Sequence, residues 1–137
     1  MAVGYTRAMN TDQPTRLEGT KLTGFVPVPS VQELEIIDTV PGSGDEVQPG
    51  ATITAHYTGA LASDGTIFQS SLDFGRPATF GLDQVIAGWT QGVPGVKIGG
   101  TRRLVIPAAQ AYGAGSPAPN IPANSDLVFD IELIAIV

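Results

Sequence analysis

The sequence predicts an α+β domain in which an antiparallel β-sheet of five to six strands wraps over one short α-helix. Three observations support this class. Short apolar or alternating segments recur between turn residues, only one segment has helical periodicity, and glycine (17) and proline (11) are abundant among the 137 residues. The length fits one domain, and the hydrophobic fraction of 42% is sufficient for a modest core.

Residues 1–32 differ in pattern from the rest of the chain. Residues 1–20 are polar without a period of 2 or 3.6, and Phe25–Pro29 is typical of an extended, polyproline-like arm. Two interpretations are open for this region. It forms a partly disordered leader, as many chain termini do, or Leu22–Val28 docks along the domain as an added edge strand. The folded domain is assigned to residues 33–137.

Six segments after residue 32 are predicted strands. In the clearest of them, Thr52–Thr58, polar and apolar residues alternate, which places Tyr57 on the buried face and His56 on the solvent face. The other predicted strands are Leu34–Asp38, Thr66–Gln69, Thr79–Leu82, Arg102–Pro107 and Leu127–Val137.

One helix is predicted between the fourth and fifth strands. Its apolar face contains Val85, Ile86, Trp89 and Val93. Asp83 is a suitable N-terminal cap, and Pro94 disfavours helix at the preceding residue, so the helix should end near Gly92. Because Gly88 and Gly92 lower the intrinsic helix propensity, tertiary packing must stabilise this element.

A long irregular segment, residues 108–125, lies between the last two strands. It contains three prolines, four small residues in Gly113–Ser116 and one aromatic residue, Tyr112. Loops of this length inside a compact domain are uncommon and are usually functional or disordered. Since strong strands flank this loop, we expect a functional role for it.

Composition excludes several classes of function. The net charge of −6 argues against nucleic acid as a partner, because phosphate backbones attract clustered Lys and Arg. The absence of cysteine excludes disulfides, thiolate catalysis and zinc–cysteine sites. With a single histidine, His56, the sequence supports neither a metal site nor a Ser-His-Asp triad. Nucleotide-binding glycine motifs are also absent, so we expect no cofactor.

The expected location follows from two further absences in the sequence. No stretch is long and apolar enough to span a membrane, and the N-terminus lacks the apolar run of a signal peptide. The sequence as it stands therefore predicts a cytoplasmic protein. A cell-envelope location is expected instead if a signal or anchor has been removed.

A set of apolar and aromatic residues remains as the candidate for function. Its members are Tyr57, Phe68, Val85, Ile86, Trp89, Tyr112, Ile121 and Phe129. For a tryptophan on an amphipathic helix, periodicity does not distinguish a core residue from a binding residue. Composition and pattern alone leave both interpretations open.

Short motifs follow one another in a fixed order along residues 33–137. They are His56–Gly59, Asp64–Phe68 with Ser70–Ser71, Val85–Trp89 with Gly92, Gly99–Pro107, Ala111–Gly113, and Ile121–Asn124 with Leu127–Leu133. In order and spacing this set resembles the FKBP-type peptidyl-prolyl cis-trans isomerases. The resemblance implies a bent antiparallel sheet around a short helix. It also implies a cofactor-free enzyme that accelerates rotation about Xaa-Pro bonds and assists protein folding.

The resemblance also implies roles within a pocket. The implied walls are Tyr57, Phe68 and Phe129, and the implied rim is Val85 and Ile86. Trp89 would form the floor beneath the proline ring. The backbone N–H of Ile86 and the hydroxyl of Tyr112 would each hydrogen-bond a ligand carbonyl, and Ile121 would press on the substrate.

Three features depart from the family pattern, of which one is the pair Pro117 and Pro119 in a loop region that varies within the family. Gln69 stands where the family commonly has aspartate, so it can accept a hydrogen bond but brings no charge. Ala78 stands where many members carry an aromatic residue, which opens that wall of the pocket. We hypothesise that Phe74 partly refills the opened wall.

Three functional hypotheses remain at this point. The first is an active isomerase acting on proline-containing polypeptides and inhibited by rapamycin- or tacrolimus-type macrolides. The second is a module that binds proline peptides or macrolides with little turnover, to which Gln69 and Ala78 lend weight. The third is a structural domain whose core is filled. We expect the chain to be a monomer.

Overall fold

The computed structural model describes residues 16–137. The strands are β1 (Glu35–Val40), β2 (Thr52–Leu61), β3 (Ile67–Ser70), β4 (Ala78–Gly81), β5 (Thr101–Ile106) and β6 (Leu127–Ile136). The α-helix of the described region, α1, spans Ala87–Gly92. Two short 3₁₀ turns, Ser71–Phe74 and Ala108–Gln110, were not predicted. Fold class and number of strands agree with the prediction from sequence.

All strand pairs of the sheet are antiparallel, in the order β1-β5-β6-β2-β3. The long strand β2 is shared, because its first half pairs with β4 and its second half with β3. In the central pair, Tyr57 lies opposite Ile131, and Gly59 lies opposite Phe129. This register brings aromatic residues that are distant in sequence to one region of the sheet.

Both faces of the sheet are covered, each by its own apolar cluster. Because successive strand residues point to opposite faces, Leu104 and Ile106 lie in the cluster with the helix, and Val105 lies in the other. The larger cluster also contains Trp89, Ile131 and Leu133. Near the end of β2 the consecutive residues Thr58, Gly59 and Ala60 are all buried, and Ala60 lies in the second cluster. The strand also extends to Leu61, three residues beyond the predicted end at Thr58.

The start of the helix differs from the prediction. Helical structure begins at Ala87, and Ile86 occupies the N-cap position without a side-chain capping bond. Asp83 lies in the preceding turn and does not cap the helix. The predicted end at Gly92 is correct. His56 also differs slightly, since it is half-buried and its Nδ1 lies 2.9 Å from Ser71 Oγ.

Residues 16–32 pack on the sheet as an irregular arm. The arm forms one isolated bridge, between Lys21 and Thr66, instead of a continuous edge strand. Leu22 and Val31 of the arm are each only 8% exposed. For these residues the geometry is closer to the docked interpretation, whereas residues 1–15 lie outside the described region. No helix within residues 16–137 combines the length and hydropathy needed to cross a bilayer.

Candidate active site

A cavity of about 440 Å³ opens beside the helix. Its lining comes from four strands, the helix with the turn before it, and the 108–125 loop. The lining residues are Tyr57, Phe68, Gln69, Phe80, Gln84, Val85, Ile86, Trp89, Tyr112 and Phe129. The structure therefore brings together all the site residues named from sequence except Phe74, Ala78 and Ile121.

Trp89 and Phe129 are the most enclosed aromatic residues of the lining, each with 4% of its surface exposed. Trp89 makes the larger number of ring contacts of the two. Its ring meets three others edge-on, with centroid distances of 4.9 Å to Phe80, 5.3 Å to Phe129 and 5.8 Å to Tyr57. Edge-to-face contacts of this kind are favoured by the ring quadrupoles and fix the orientation of each ring. Trp89 thus forms a rigid inner surface of the cavity.

The two helix glycines have a packing role that the sequence did not indicate. A Cβ on Gly88 would lie 2.6 Å from Ile106, and one on Gly92 would lie 2.7 Å from Leu104. A Cβ at either position would force the neighbouring side chain to shift, so glycine at both positions lets the helix approach β5 this closely. The residues that weaken the helix in isolation are the ones that allow it to pack and to position Trp89.

Arg102 fixes the other end of the helix. Its guanidinium donates to the carbonyl oxygens of Gly92 and Pro94, both at 2.9 Å, and pairs with the carboxylate of Asp38 at 2.6 Å. Because the last carbonyls of a helix lack intrahelical partners, a buried cation at this point stabilises the helix terminus. Arg102 is itself buried, so the helix end is held from inside the domain.

Ile86 places a free backbone donor at the edge of the cavity. Its carbonyl accepts hydrogen bonds from the amides of Trp89 and Thr90, which closes the first helical turn. Within residues 16–137 its own N–H donates to no other group of the chain. An N-cap amide has no intrahelical acceptor, so this donor is available to a ligand.

The cavity lining is uncharged. Tyr57 and Tyr112 are its ionisable groups, and Tyr112 is 41% exposed at the outer edge. Burial, followed by the proximity of Tyr112, raises the pKa of the Tyr57 phenol above its usual value of about 10. Tyr57 is therefore a neutral hydroxyl at physiological pH. The side chains of Gln69 and Gln84 add polar amides without charge.

Phe80 and Gln84 line the cavity although sequence reasoning did not select them. Phe80 packs edge-on against Tyr57 as well as Trp89, with a centroid distance of 5.5 Å to Tyr57. The available signal was an aromatic residue on a predicted strand. A strand of four residues is too short for its alternation to show which side faces the helix.

The Phe74 hypothesis does not agree with the geometry. Phe74 is 61% exposed and does not line the cavity, because its 3₁₀ turn ends at Gly75 in the left-handed conformation. Phe80, two residues after Ala78 on the same strand, contributes the wall instead. Ala78 is half-buried opposite Ala55, and Ile121 is packed in the main core cluster.

Hydrogen bonds within the 108–125 loop hold it in a defined shape. The amide of Gly113 donates to the Ala108 carbonyl, and the amide of Asn124 donates to the Gly113 carbonyl. Asn124 has a φ of 58°, a conformation that asparagine tolerates better than most residues. These bonds place Tyr112 at the cavity. Among residues 16–137, no three His, Cys, Asp or Glu side chains are grouped to hold a metal ion.

Comparison with known proteins gives the family. A family model described as FKBP-type peptidyl-prolyl cis-trans isomerase matches residues 44–134. The chain belongs to this family. The match covers β2 to β5, all of β6 except its last two residues, and each residue that lines the cavity.

Relatives in this family differ in overall length. An FK506-binding protein of Neisseria meningitidis serogroup B is 45% identical over 105 residues, which cover 75% of this chain and 95% of that protein. The isomerase FkpA of Aeromonas hydrophila is 50% identical over 95 residues, which cover 68% of this chain but only 35% of that protein. The chain therefore spans about a third of the length of the Aeromonas relative.

Solved structures agree with the fold. The crystal structure of AtFKBP13 is similar with a TM-score of 0.68 and 40% identity, and the match covers 76% of this chain and 93% of that one. The crystal structure of FkpA from Escherichia coli gives a TM-score of 0.68 at 41% identity, covering 75% and 47% of the two chains.

Proposed function

We propose that this FKBP-family domain catalyses the cis–trans rotation of Xaa-Pro peptide bonds and so assists protein folding. The observation that carries the proposal is the uncharged aromatic cavity with the free N–H of Ile86 at its edge. Its walls suit the apolar ring of proline, and its edge offers a donor to a neighbouring carbonyl. Neither feature requires a nucleophile, a metal or a titrating base.

The energetics suit such a site. Rotation about a peptide bond has a barrier of about 20 kcal/mol because the planar amide is conjugated. An apolar cavity favours the twisted amide, which has lost conjugation and part of its dipole, over the planar amide in water. A rate acceleration of about 10⁴ requires only ~5–6 kcal/mol of such differential binding. Desolvation together with one or two hydrogen bonds is a sufficient source.

The proposed roles follow from position in the cavity. Trp89 underlies the proline ring, and the rings of Phe68 and Phe129 flank it. The Ile86 amide and the hydroxyl of Tyr112 each donate to a substrate carbonyl. We further propose that macrolides of the rapamycin and tacrolimus type compete with proline peptides for this cavity, as the name FK506-binding protein indicates for the Neisseria relative.

A second candidate function is binding with little turnover. Gln69 lines the cavity on β3 without a charge, so it gives no electrostatic help to a polarised amide. The two functions differ in turnover and share ligand binding.

A protease-coupled assay on a short Ala-Xaa-Pro-Phe peptide decides between them. We expect acceleration by the wild-type chain, and its loss in Trp89→Leu. Val26→Asp, at a side chain of the arm that is 80% exposed, serves as the control with unchanged turnover. Absence of acceleration by the wild-type chain, with tacrolimus still quenching the fluorescence of its single tryptophan, would establish the binding module instead. Absence of both would exclude either function.

A further inference from the structure

Residues 16–32 precede the segment that the family model matches, yet they contact two segments that carry residues of the cavity lining. These are β3, which carries Phe68 and Gln69, and the 108–125 loop, which carries Tyr112. Hydrogen bonds join the arm to four sites, which are β3 itself and the side chains of Asp73, Asn120 and Asp126.

The arm first completes the hydrogen bonding of β3. The amide of Gly19 donates to the Ile67 carbonyl and the amide of Ile67 donates to the Thr20 carbonyl, both at 2.8 Å. Next to them, the amide of Leu22 donates to the Gly65 carbonyl at 2.8 Å. Both backbone polar groups of Ile67 thus bond to the arm. Since Phe68 follows directly, its backbone position depends on this pairing.

The far end of β3 is held by Asp73, on the 3₁₀ turn that follows the strand. Its carboxylate accepts hydrogen bonds from the amides of Leu17 at 2.8 Å and Glu18 at 3.0 Å, and the side chain is only 5% exposed. The hydrogen bond from the Leu17 amide, and to a lesser extent the one from the Glu18 amide, lowers the pKa of Asp73. The arm therefore contacts the chain both before and after the cavity residues of β3.

Asn120 links the tip of the loop to the same strand. Its Nδ2 donates to the carbonyl oxygen of Phe68 at 2.9 Å and contacts Glu18 Oε2 at 3.4 Å. One side chain thus connects the loop, the strand that lines the cavity and the first turn of the arm.

Asp126 joins the arm to the base of the loop. One carboxylate oxygen accepts from the Val31 amide at 2.8 Å, and the other accepts from the Ala108 amide at 2.9 Å. Ala108 is the first residue of the loop, and Asp126 directly follows its last residue. A single carboxylate therefore closes the loop and attaches it to the arm.

Apolar contacts hold the arm itself in place. Leu22 and Val31 are buried with Ile67, Val105 and Val128 on the sheet face opposite the helix. In addition, the Arg103 guanidinium donates to the carbonyls of Thr23 and Gly24 and lies 5.6 Å from the centre of the Phe25 ring. Buried apolar side chains of this kind distinguish a docked segment from a passing linker.

We propose that residues 16–32 are a positioning element for the active site, which holds β3 and the 108–125 loop in the arrangement that forms the cavity. The effect on turnover rests on the isomerase function proposed above, whereas the effect on loop order does not. Displacement of catalytic groups by about 1 Å is enough to lower rates strongly. Undocking the arm should therefore lower turnover without removing any residue that lines the cavity.

The test uses substitutions in the full chain. Leu22→Asp places a carboxylate in the buried contact and should undock the arm. Val26→Asp introduces the same group on the same arm at a side chain that is 80% exposed, and is the matched control. We expect kcat/KM to fall about tenfold in the first variant and to stay within twofold in the second. The milder variant Asp73→Ala should lower kcat/KM about threefold. If Leu22→Asp does not fold, Asp73→Ala tests the positioning role in its place.

Amide hydrogen exchange separates positioning from general destabilisation. In the undocked variants the amides of Ala108 and Asn124 should exchange at least about tenfold faster, while those of Leu104 and Ile131 in the core keep their wild-type protection. Equal acceleration at all four amides would overturn the proposal, as would unchanged exchange in the loop. Because exchange needs no turnover, these outcomes stand even if the wild-type chain proves inactive.

A disulfide provides the rescue experiment. The chain has no cysteine, and Lys21 and Thr66 form an antiparallel bridge, a geometry close enough for a disulfide. In the background of the arm variant, Lys21→Cys with Thr66→Cys should restore at least half of the lost kcat/KM when oxidised and none when reduced. The proposal would be contradicted if the oxidised form restored neither kcat/KM nor the exchange protection of the loop amides.

Discussion

Gly59 should be indispensable for the shape of the cavity. It lies on β2, opposite Phe129 on β6 and opposite Gln69 on β3. A Cβ at this position would lie 2.6 Å from a ring atom of Phe68 and 2.6 Å from a ring atom of Phe129, whereas ordinary contact begins near 3.4 Å. In Gly59→Ala each of the two rings must therefore retreat by about 0.8 Å, the difference between those distances.

Two consequences follow from this displacement. Overpacking of a well-packed site typically costs about 1–3 kcal/mol, so the free energy of unfolding should fall by that amount. The rings also line the cavity, and they meet each other edge-on at 5.7 Å, so neither moves without the other. Since a misplacement near 1 Å costs up to about 100-fold in rate, we expect kcat/KM to fall about 10- to 100-fold.

The measurements are urea unfolding and the protease-coupled isomerase assay. Gly81→Ala is the control, because the atoms nearest to its added Cβ, at 3.3 and 3.4 Å, are the mobile ends of Gln84 and Asp83. This control should lose less than about 0.5 kcal/mol. A Gly59→Ala protein with the wild-type unfolding midpoint and kcat/KM within twofold of wild type would refute the reasoning.

Three further predictions concern the cavity wall, the helix end and the arm. Phe80→Ala should lower kcat/KM about tenfold through the lost wall, and Phe74→Ala should leave it within twofold; equal effects would contradict the lining described above. Arg102→Met should lower the free energy of unfolding in urea by about 2–3 kcal/mol, because the last helix carbonyls lose charged donors; a loss below about 0.5 kcal/mol would be inconsistent with that role. The pKa of Asp73 is lowered on folding, so its stabilisation is complete above the unfolded value of about 3.9 and is lost as the pH falls through the folded value. Acidification from pH 6 towards pH 2 should shift the NMR signals of the arm amides that bond Asp73, and constant shifts would refute this assignment.

Helical periodicity was informative about the buried face but not about the start of the helix. The apolar spacing placed Trp89 inward, as the structure does. Asp83 is chemically suited to capping, yet the chain turns once more before it enters the helix at Ala87. Capping preferences are local, whereas the entry point is set by the packing of Gly88 against Ile106 on a distant strand.

The aromatic lining of the cavity was also predicted only in part from the sequence. Motif order and spacing selected Tyr57, Phe68, Trp89 and Phe129, because these residues lie within recognisable motifs. Phe80 lies in a short segment without such a pattern, and the hypothesis named Phe74 for the wall that Phe80 forms. Which of two nearby aromatic residues faces the cavity depends on strand register, and here β4 pairs Phe80 with Ile53 on β2.

The sequence by itself determined the class of fold and the buried face of the helix, since both depend on residue types at fixed spacing. The position of the cavity around Trp89 was implied by the resemblance of its motifs to a known family. Only the tertiary structure decided how the cavity is supported. The space left by Gly59, the wall formed by Phe80 and the contacts of residues 16–32 with β3 and the loop all join residues far apart in the chain. Local patterns carry no information about such pairs, because their proximity is created by strand register and packing.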